Sequence, residues 1–317
     1  MGMHKTTMQK QAIYDDLAGI AGAKSVLADE RMDRHTSFRI GGPADFFVMP
    51  EDELSLTKVL HYCTERGIPS YIMGNGSNLL VMDTGFRGVI IQLWKNFGSF
   101  QVQGTSIQAR CGAMLSALSR AAQEHALTGL EFASGIPGTL GGAAVMNAGA
   151  YGGEFKDVAQ KVRVLDPKEG IRELSCEQMQ FGYRTSAAAA NGYIILGADL
   201  HLEEGDPDQI KNRMEELKEA RTSKQPLELP SAGSTFKRPQ GYFAGKLIMD
   251  AGLRGYRVGG AMVSPKHCGF VVNAGNATCA DVLTLMKDVR SRVYQSFGVW
   301  LEPEVKLLGE SWDVIFQ

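Results

Sequence analysis

Residues Gly74–Val81 read GNGSNLLV, and they follow a short apolar run, IPSYIM (Ile68–Met73), with the length and composition of a buried strand. Gly74 and Gly76 flank Asn75, and the hydrogen-bonding residues Ser77 and Asn78 come next. Successive backbone N–H groups in such a turn form a concave nest suited to phosphate. The spacing is not GxGxxG, which needs glycine where Leu79 stands, and it is not a P-loop. A tight turn joining two strands would use the same residues. On spacing alone, phosphate binding and plain chain reversal both stand.

Working outward, the surrounding pattern mixes strands and helices. ADFFVMP (Ala44–Pro50) reads as a strand. EDELSLTKVLHYCTERG (Glu51–Gly67) reads as an amphipathic helix with Leu54, Val59, Leu60 and Cys63 on one side and Gly67 as its stop. GVIIQL (Gly88–Leu93) is the next strand. From Trp94 to Glu204 come FQVQG, SIQARCG, KVRVLD and YIILGADLHLE as strands, with MLSALSRAAQEHA as a helix. Asp206-Pro207 opens another helix with Ile210, Met214 and Leu217 as its buried stripe. After the linker KQPLELP, the C-terminal part holds a helix (GKLIMDAG), a strand (GFVVNAG), a long helix (Cys279–Gly298) and a closing strand, EVKLLG.

A second small-residue tract, SGIPGTLGGAAVMNAGAYGGE (Ser134–Glu154), holds seven glycines. Small side chains let a flat or extended ligand lie against the main chain, although a close-packed helix with glycine flanks would also need them. The net charge of −2 gives no electrostatic case for nucleic acid or an anionic membrane as a partner. Five cysteines are scattered without a CxxC pair, which fits a reducing, cytoplasmic setting, and six dispersed histidines argue against a metal site. No apolar run near the start is long enough for a signal peptide or membrane span.

The two glycine tracts, in this order, resemble the flavin domain of the vanillyl-alcohol oxidase (PCMH-type) superfamily. Four further stretches sharpen the likeness: TSFRIGGPA (Thr36–Ala44), FGYR (Phe181–Arg184), SAGSTFKRP (Ser231–Pro239) and VWLEPEVKLLG (Val299–Gly309). With them the chain resembles the MurB family, the UDP-N-acetylenolpyruvoylglucosamine reductases of bacterial peptidoglycan synthesis, from about residue 30 to 309. The resemblance implies an α+β fold, with a two-subdomain FAD-binding domain of the PCMH type and a C-terminal α+β substrate domain. The expected segments are a helical extension (1–30), FAD subdomains at 31–94 and 95–220, and a substrate domain at 221–317.

The same resemblance implies non-covalent FAD, since no histidine sits in either glycine tract, with NADPH as hydride donor and UDP-N-acetylglucosamine enolpyruvate as substrate. It implies a cytoplasmic monomer. The FAD contacts expected are Arg39; Gly74, Asn75, Gly76, Ser77, Asn78 and Leu79; Ser134, Gly135, Ile136, Pro137, Thr139, Gly142 and Ala143; and Ile194. Ser234 matches the family's proton donor, Arg184 its Y-R arginine, and Glu304, not Glu302, its glutamate. Tyr151 matches a tyrosine at the UDP portion and Lys224 a lysine near the diphosphate, and Lys237 and Arg238 join them as substrate contacts. Arg238 stands where one branch has asparagine, which with the short C-terminal region suggests the shorter subtype. His267 lies at a substrate-side position and reads equally as a half-buried structural histidine.

The chemistry asks for these residue types. Reducing an enolpyruvyl ether builds charge on its carboxylate, which a forked guanidinium can hold and a protonated glutamic acid can share. The carbon left as an enolate then needs a proton, and a positioned hydroxyl can give it. An FAD oxidase on this fold would want a flavin-attaching histidine and a base for an alcohol, and neither is evident.

Overall fold

The protein is described here by a computed structural model covering residues 2–316, with side chains from residue 8 onward. The chain folds into two compact units, each assembled from segments far apart in sequence. The first takes the chain up to Val26, then Val48–Asn75 and Ile91–Arg221. The second takes Leu27–Phe47, Gly76–Ile90 and the chain from Thr222 onward. The consecutive segments drawn from the sequence follow the order of motifs. This packing partition differs from them because residues 27–47 and 76–90 share a core with the C-terminal part.

The first unit is built on a five-stranded antiparallel sheet in the order Gly170–Ser175, Ala159–Asp166, Ile194–His201, Ser106–Arg110, Phe100–Gln103. Val162 and Val164 alternate inward along their strand, as a half-covered sheet requires. The helix Leu115–Glu124 buries Leu115, Leu118, Ala121 and Ala122, a helical stripe facing the core. The short helix Leu140–Met146, inside the second glycine tract, packs on strands Ile194–His201 and Ser106–Arg110. The strand Gly170–Ser175 escapes sequence reading, since as an edge strand it is mostly solvated.

The helix Glu53–Glu65 starts at a capping box between Asp52 and Ser55 and is followed by Gly67 at φ +62°. Its buried residues are Leu56, Val59, Tyr62 and Cys63, whereas Leu54 is 62% exposed. The expected stripe is corrected here. Leu56, Val59 and Cys63 recur at helical spacing, and Leu54, two residues before Leu56, falls on the opposite side with Lys58 and His61. The N-terminal helix Gly2–Ala21 lies against this helix, and Tyr62 Oη donates to Asp16 at 2.8 Å. The helix Pro207–Lys224 buries Ile210 and Leu217, while Met214 is only half-buried.

The second unit centres on the long helix Cys279–Phe297. Thr278 and Asp281 cap it reciprocally (3.1 and 3.0 Å), and Asp83 accepts from the N–H groups of Cys279 and Ala280. Its apolar face (Val282, Leu285, Met286, Val289, Val293) packs with Phe38, Ile40 and Leu80 from distant segments. Arg257–Val258, Ala261–Val263 and Val271–Asn273 make a three-stranded antiparallel sheet. Strand Lys306–Leu308 lies parallel to Leu79–Val81, with Lys306 opposite Leu79. The closing strand thus pairs with the exit of the first glycine turn.

Candidate active site

In the second unit, four of the motifs meet. Ser37 donates from its backbone N–H to Gly76 O (3.1 Å) and from Oγ to Ser231 O (2.7 Å). The TSFRIGGPA loop thereby ties the glycine turn to the SAGSTFKRP loop. Asn273 Nδ2 donates to the carbonyls of Phe38 and Arg39 (3.4 and 3.5 Å) and holds the same loop from its other side. Arg39 is exposed and sits in the left-handed region at φ 54°. Gly76 has φ +71°, where a Cβ would strain the turn.

The SAGSTFKRP loop is anchored on both flanks. Thr235 is buried; its N–H donates to Gly269 O (2.9 Å) and its Oγ1 accepts from Val271 N–H (2.8 Å). Its carbonyl accepts from Glu304 N–H at 2.9 Å, and Lys237 N–H donates to Glu302 O at 2.8 Å. Ser234 projects from this framework as an exposed residue between Gly233 (φ +76°) and the buried Thr235 and Phe236. The structure therefore brings Ser234 and Glu304 to adjacent main-chain positions. Asn78 reinforces the pairing, since its Nδ2 donates to Glu304 O (3.3 Å) and its carbonyl accepts from Lys306 N–H (3.0 Å).

The two glutamates separate as the sequence suggests. Glu304 is half-buried, while the Glu302 side chain is 73% exposed and pairs with Lys237 at 3.2 Å. Solvent takes most of the value from such a pair. Arg238 is exposed; its Nε donates to Tyr242 O (3.3 Å) and its guanidinium lies 4.0 Å from the Phe243 ring centroid. His267 Nδ1 accepts from Gly269 N–H (3.1 Å), and burial pushes its pKa down. That arrangement is a neutral imidazole closing a turn, with its ring edge-on to Phe270. Lys224 is exposed at the end of its helix.

In the first unit, Asn75 Nδ2 donates to Pro137 O at 2.7 Å and links the first glycine turn to the second tract. Several glycines of that tract serve packing. A Cβ on Gly135 would lie 2.7 Å from Arg221 Nε, on Gly141 2.9 Å from Cys111 Cβ, and on Gly153 2.7 Å from the Phe132 ring. Gly142 and Gly152 differ. A Cβ on Gly152, at φ +91°, would meet nothing within 4 Å, and on the exposed Gly142 it would meet only Thr139 Oγ1, at 3.7 Å. Thr139 is buried as the cap of the helix, and Ala143 and, in the second unit, Leu79 turn their side chains into the core. Ser134, Ile136 and Ile194 are half-buried and Pro137 is exposed.

Arg184 stands in a tight turn closed by Gly182 and Thr185, at φ 56°. Its Nη2 donates to Gly149 O at 3.5 Å, and Tyr151, 41% exposed, lies in the same tract at φ 53°. Asn147 organises this corner. Buried and left-handed (φ 44°), it donates to Glu154 Oε2 (2.9 Å) and Gly182 O (3.2 Å) and accepts from Lys156 N–H (3.0 Å). Lys156, 2.8 Å from the Glu154 carboxylate, holds that group below its usual pKa, with Asn147 assisting. Asparagine after a helix, as a left-handed cap, was the available signal for Asn147. Arg221 had none in its local sequence. Among the described residues no group of His, Cys, Asp and Glu is placed to hold a metal ion, and no helix is long and apolar enough to cross a membrane.

Comparison with known proteins gives these loops a context. Residues 44–175 match the family described as an FAD binding domain, and 225–308 match the C-terminal domain of UDP-N-acetylenolpyruvoylglucosamine reductase. That pairing defines a flavin-dependent oxidoreductase. The chain is 55% identical to the UDP-N-acetylenolpyruvoylglucosamine reductase of Clostridioides difficile (strain 630), over 96% of its length and 100% of the relative's. It is 49% identical to that of Geobacillus kaustophilus (strain HTA426), over 95% and 98%. The crystal structure of the Thermus caldophilus reductase (MurB) superposes with a TM-score of 0.77 at 35% identity, covering 89% of this chain and 98% of that one. The protein belongs to the MurB family of UDP-N-acetylenolpyruvoylglucosamine reductases.

The residues present fit FAD. In the first unit, Asn75 is tied to the second tract and Gly142 leaves a Cβ-sized opening on an exposed face. Gly142→Ala should separate the fold from the cofactor. Alanine is the better helix former, so the fold should gain about 0.5 kcal/mol. If Gly142 lies against the cofactor, FAD per purified chain should fall, because the methyl would stand on that face. An alanine variant with wild-type flavin content would remove Gly142 from that face.

Proposed function

We propose that the protein reduces UDP-N-acetylglucosamine enolpyruvate to UDP-N-acetylmuramate with NADPH as hydride donor, as a monomer in the bacterial cytoplasm. The observation that supports this reading is the doubly anchored loop that leaves Ser234 exposed next to Thr235, whose carbonyl accepts from Glu304 N–H. Gly74–Leu79 would hold the FAD pyrophosphate, and Ser134–Ala143, with Arg39 and Ile194, would hold its ring and flanks. FAD, when bound, supplies the hydride chemistry that side chains cannot.

The chain's own residues do the rest. Arg184 grips the substrate carboxylate with its fixed fork and stabilises the charge that develops there as the β-carbon is reduced. Glu304, in its protonated form, donates a hydrogen bond to the same enolate-like group, a role a half-buried position favours over the solvated Glu302. Ser234 gives its proton to the α-carbon and, being exposed, regains one from water. Tyr151, Lys224 and Arg238 contact the UDP portion, and Lys237 is held by Glu302 at the loop's edge. His267 shapes the turn beneath the loop.

The test is the visible spectrum of the purified protein. Oxidised-flavin bands should bleach with NADPH and return on adding the enolpyruvyl sugar nucleotide. Return with oxygen but not with that substrate would point to an oxidase instead.

A further inference from the structure

Glu304 stands in an irregular stretch, residues 299–305, between the long helix Cys279–Phe297 and the strand Lys306–Leu308. Without a continuous ladder, its place depends on single bonds to the main chain around it. The SAGSTFKRP loop and Asn78 supply some of these. Two others come from side chains outside every motif. Arg290 Nε donates to Leu301 O at 2.8 Å, and Trp312 Nε1 donates to Val305 O at 3.0 Å. Leu301 and Val305 are both buried, and their carbonyls bracket Glu304 along the chain.

The two donors are joined through aromatic rings. Phe316 stacks on Trp312, with centroids 5.2 Å apart and planes 9° from parallel. The Arg290 guanidinium lies 3.7 Å from the Phe316 centroid and 5.1 Å from that of Trp300, which itself stacks on Tyr294 at 4.2 Å. A guanidinium is weakly hydrated and settles on aromatic faces, so these rings hold its direction. Burial pushes the Arg290 pKa down, against the charge of Glu302. Packing alone does not call for this arrangement. An apolar side chain at position 290 would avoid the desolvation cost, but it would leave the buried Leu301 carbonyl without this donor. The helix Trp312–Phe316 lies beyond residues 225–308, the stretch that matches the reductase C-terminal domain.

We propose that Arg290 and Trp312 are positioning residues for Glu304, fixing the main chain on both sides of it so that its carboxyl meets the substrate in one place. This rests on the functional reading above, in which Glu304 stabilises the enolate-like group. Each acts through the carbonyl it holds, not by touching substrate. A carboxyl that must hydrogen-bond a developing charge loses effect when displaced by about 1 Å or less.

Trp312→Phe keeps an aromatic ring beside Phe316 and removes the donor. The test is anaerobic stopped-flow absorbance on the purified, FAD-loaded protein. The variant should slow flavin reoxidation by saturating enolpyruvyl substrate about 3–10-fold, the size of one lost hydrogen bond, and leave reduction by NADPH within about twofold of wild type. Arg290→Met should behave alike, and Arg290→Lys should recover part of the loss. If the methionine variant does not fold, the lysine variant carries the same test with a smaller loss expected. In a Glu304→Ala background, Trp312→Phe should cost no more than about 1.5-fold, because the group it positions is gone. Wild-type reoxidation in either single variant would overturn the proposal. So would equal losses in the two half-reactions, or an undiminished loss in the Glu304→Ala background, since the residues would then support the fold at large. Glu304→Ala that reoxidises at the wild-type rate sinks the reading of Glu304 itself, and the proposal with it.

Discussion

Ser234→Ala should slow the half-reaction that consumes the enolpyruvyl substrate by roughly 10²–10⁴-fold, the range of a lost general acid, and leave the half-reaction with NADPH near its normal rate. Only the first half needs a proton at the substrate's α-carbon. The substitution should not disturb the site, because the loop is held by Thr235, Phe236 and Lys237 and not by the Ser234 side chain. Ser234→Cys should restore part of the rate, as a thiol is the stronger acid. Anaerobic stopped-flow absorbance at the flavin band, with each half run separately, reads the difference. An alanine variant that loses the NADPH half and keeps the other would move Ser234 from proton donor to the nicotinamide side.

Arg184→Lys should lower kcat by about 10²-fold, comparable to removing one donor from an oxyanion site, because the charge remains but the two-pronged geometry is lost. Both residues pay the same cost for the left-handed backbone at this position, so the melting temperature should stay near wild type. A structural ion pair would give the reverse pattern, with normal turnover and a lower melting temperature. The Glu154 carboxylate is bound by Lys156 and Asn147 and also feels the Arg184 charge, so the melting temperature of the lysine variant, which keeps that charge, is the fair control.

What could be read from the sequence was whatever sits in short contiguous runs. The two glycine tracts, FGYR and SAGSTFKRP announce themselves because each loop's chemistry is carried by neighbouring residues. Helix limits were also legible where caps were written locally, as at Gly67 and Gly298. Arg221 was not legible, because its meaning depends on Gly135 and Tyr151, which reach it only through tertiary packing. The glycine tract was half legible. Its smallness predicts close approach, but at Gly135, Gly141 and Gly153 the approaching group is the protein's own side chain, and only the coordinates tell these apart from Gly142. Strain was equally hidden: Arg39, Asn147, Tyr151 and Arg184 all adopt left-handed backbone at motif positions, and none has glycine's freedom to do so.

The parallel pairing of Leu79–Val81 with Lys306–Leu308 sets a schedule for the newborn chain. The first glycine turn leaves the ribosome early, yet the strand that seats its exit is made almost last. At roughly 5–20 residues per second the interval is on the order of ten seconds or more. During that time Leu79, Leu80 and Val81, all buried in the finished protein, have no permanent partner along this edge. A ribosome that stalls before codon 306 leaves behind a chain in which the strand leaving the first glycine turn lacks its parallel partner.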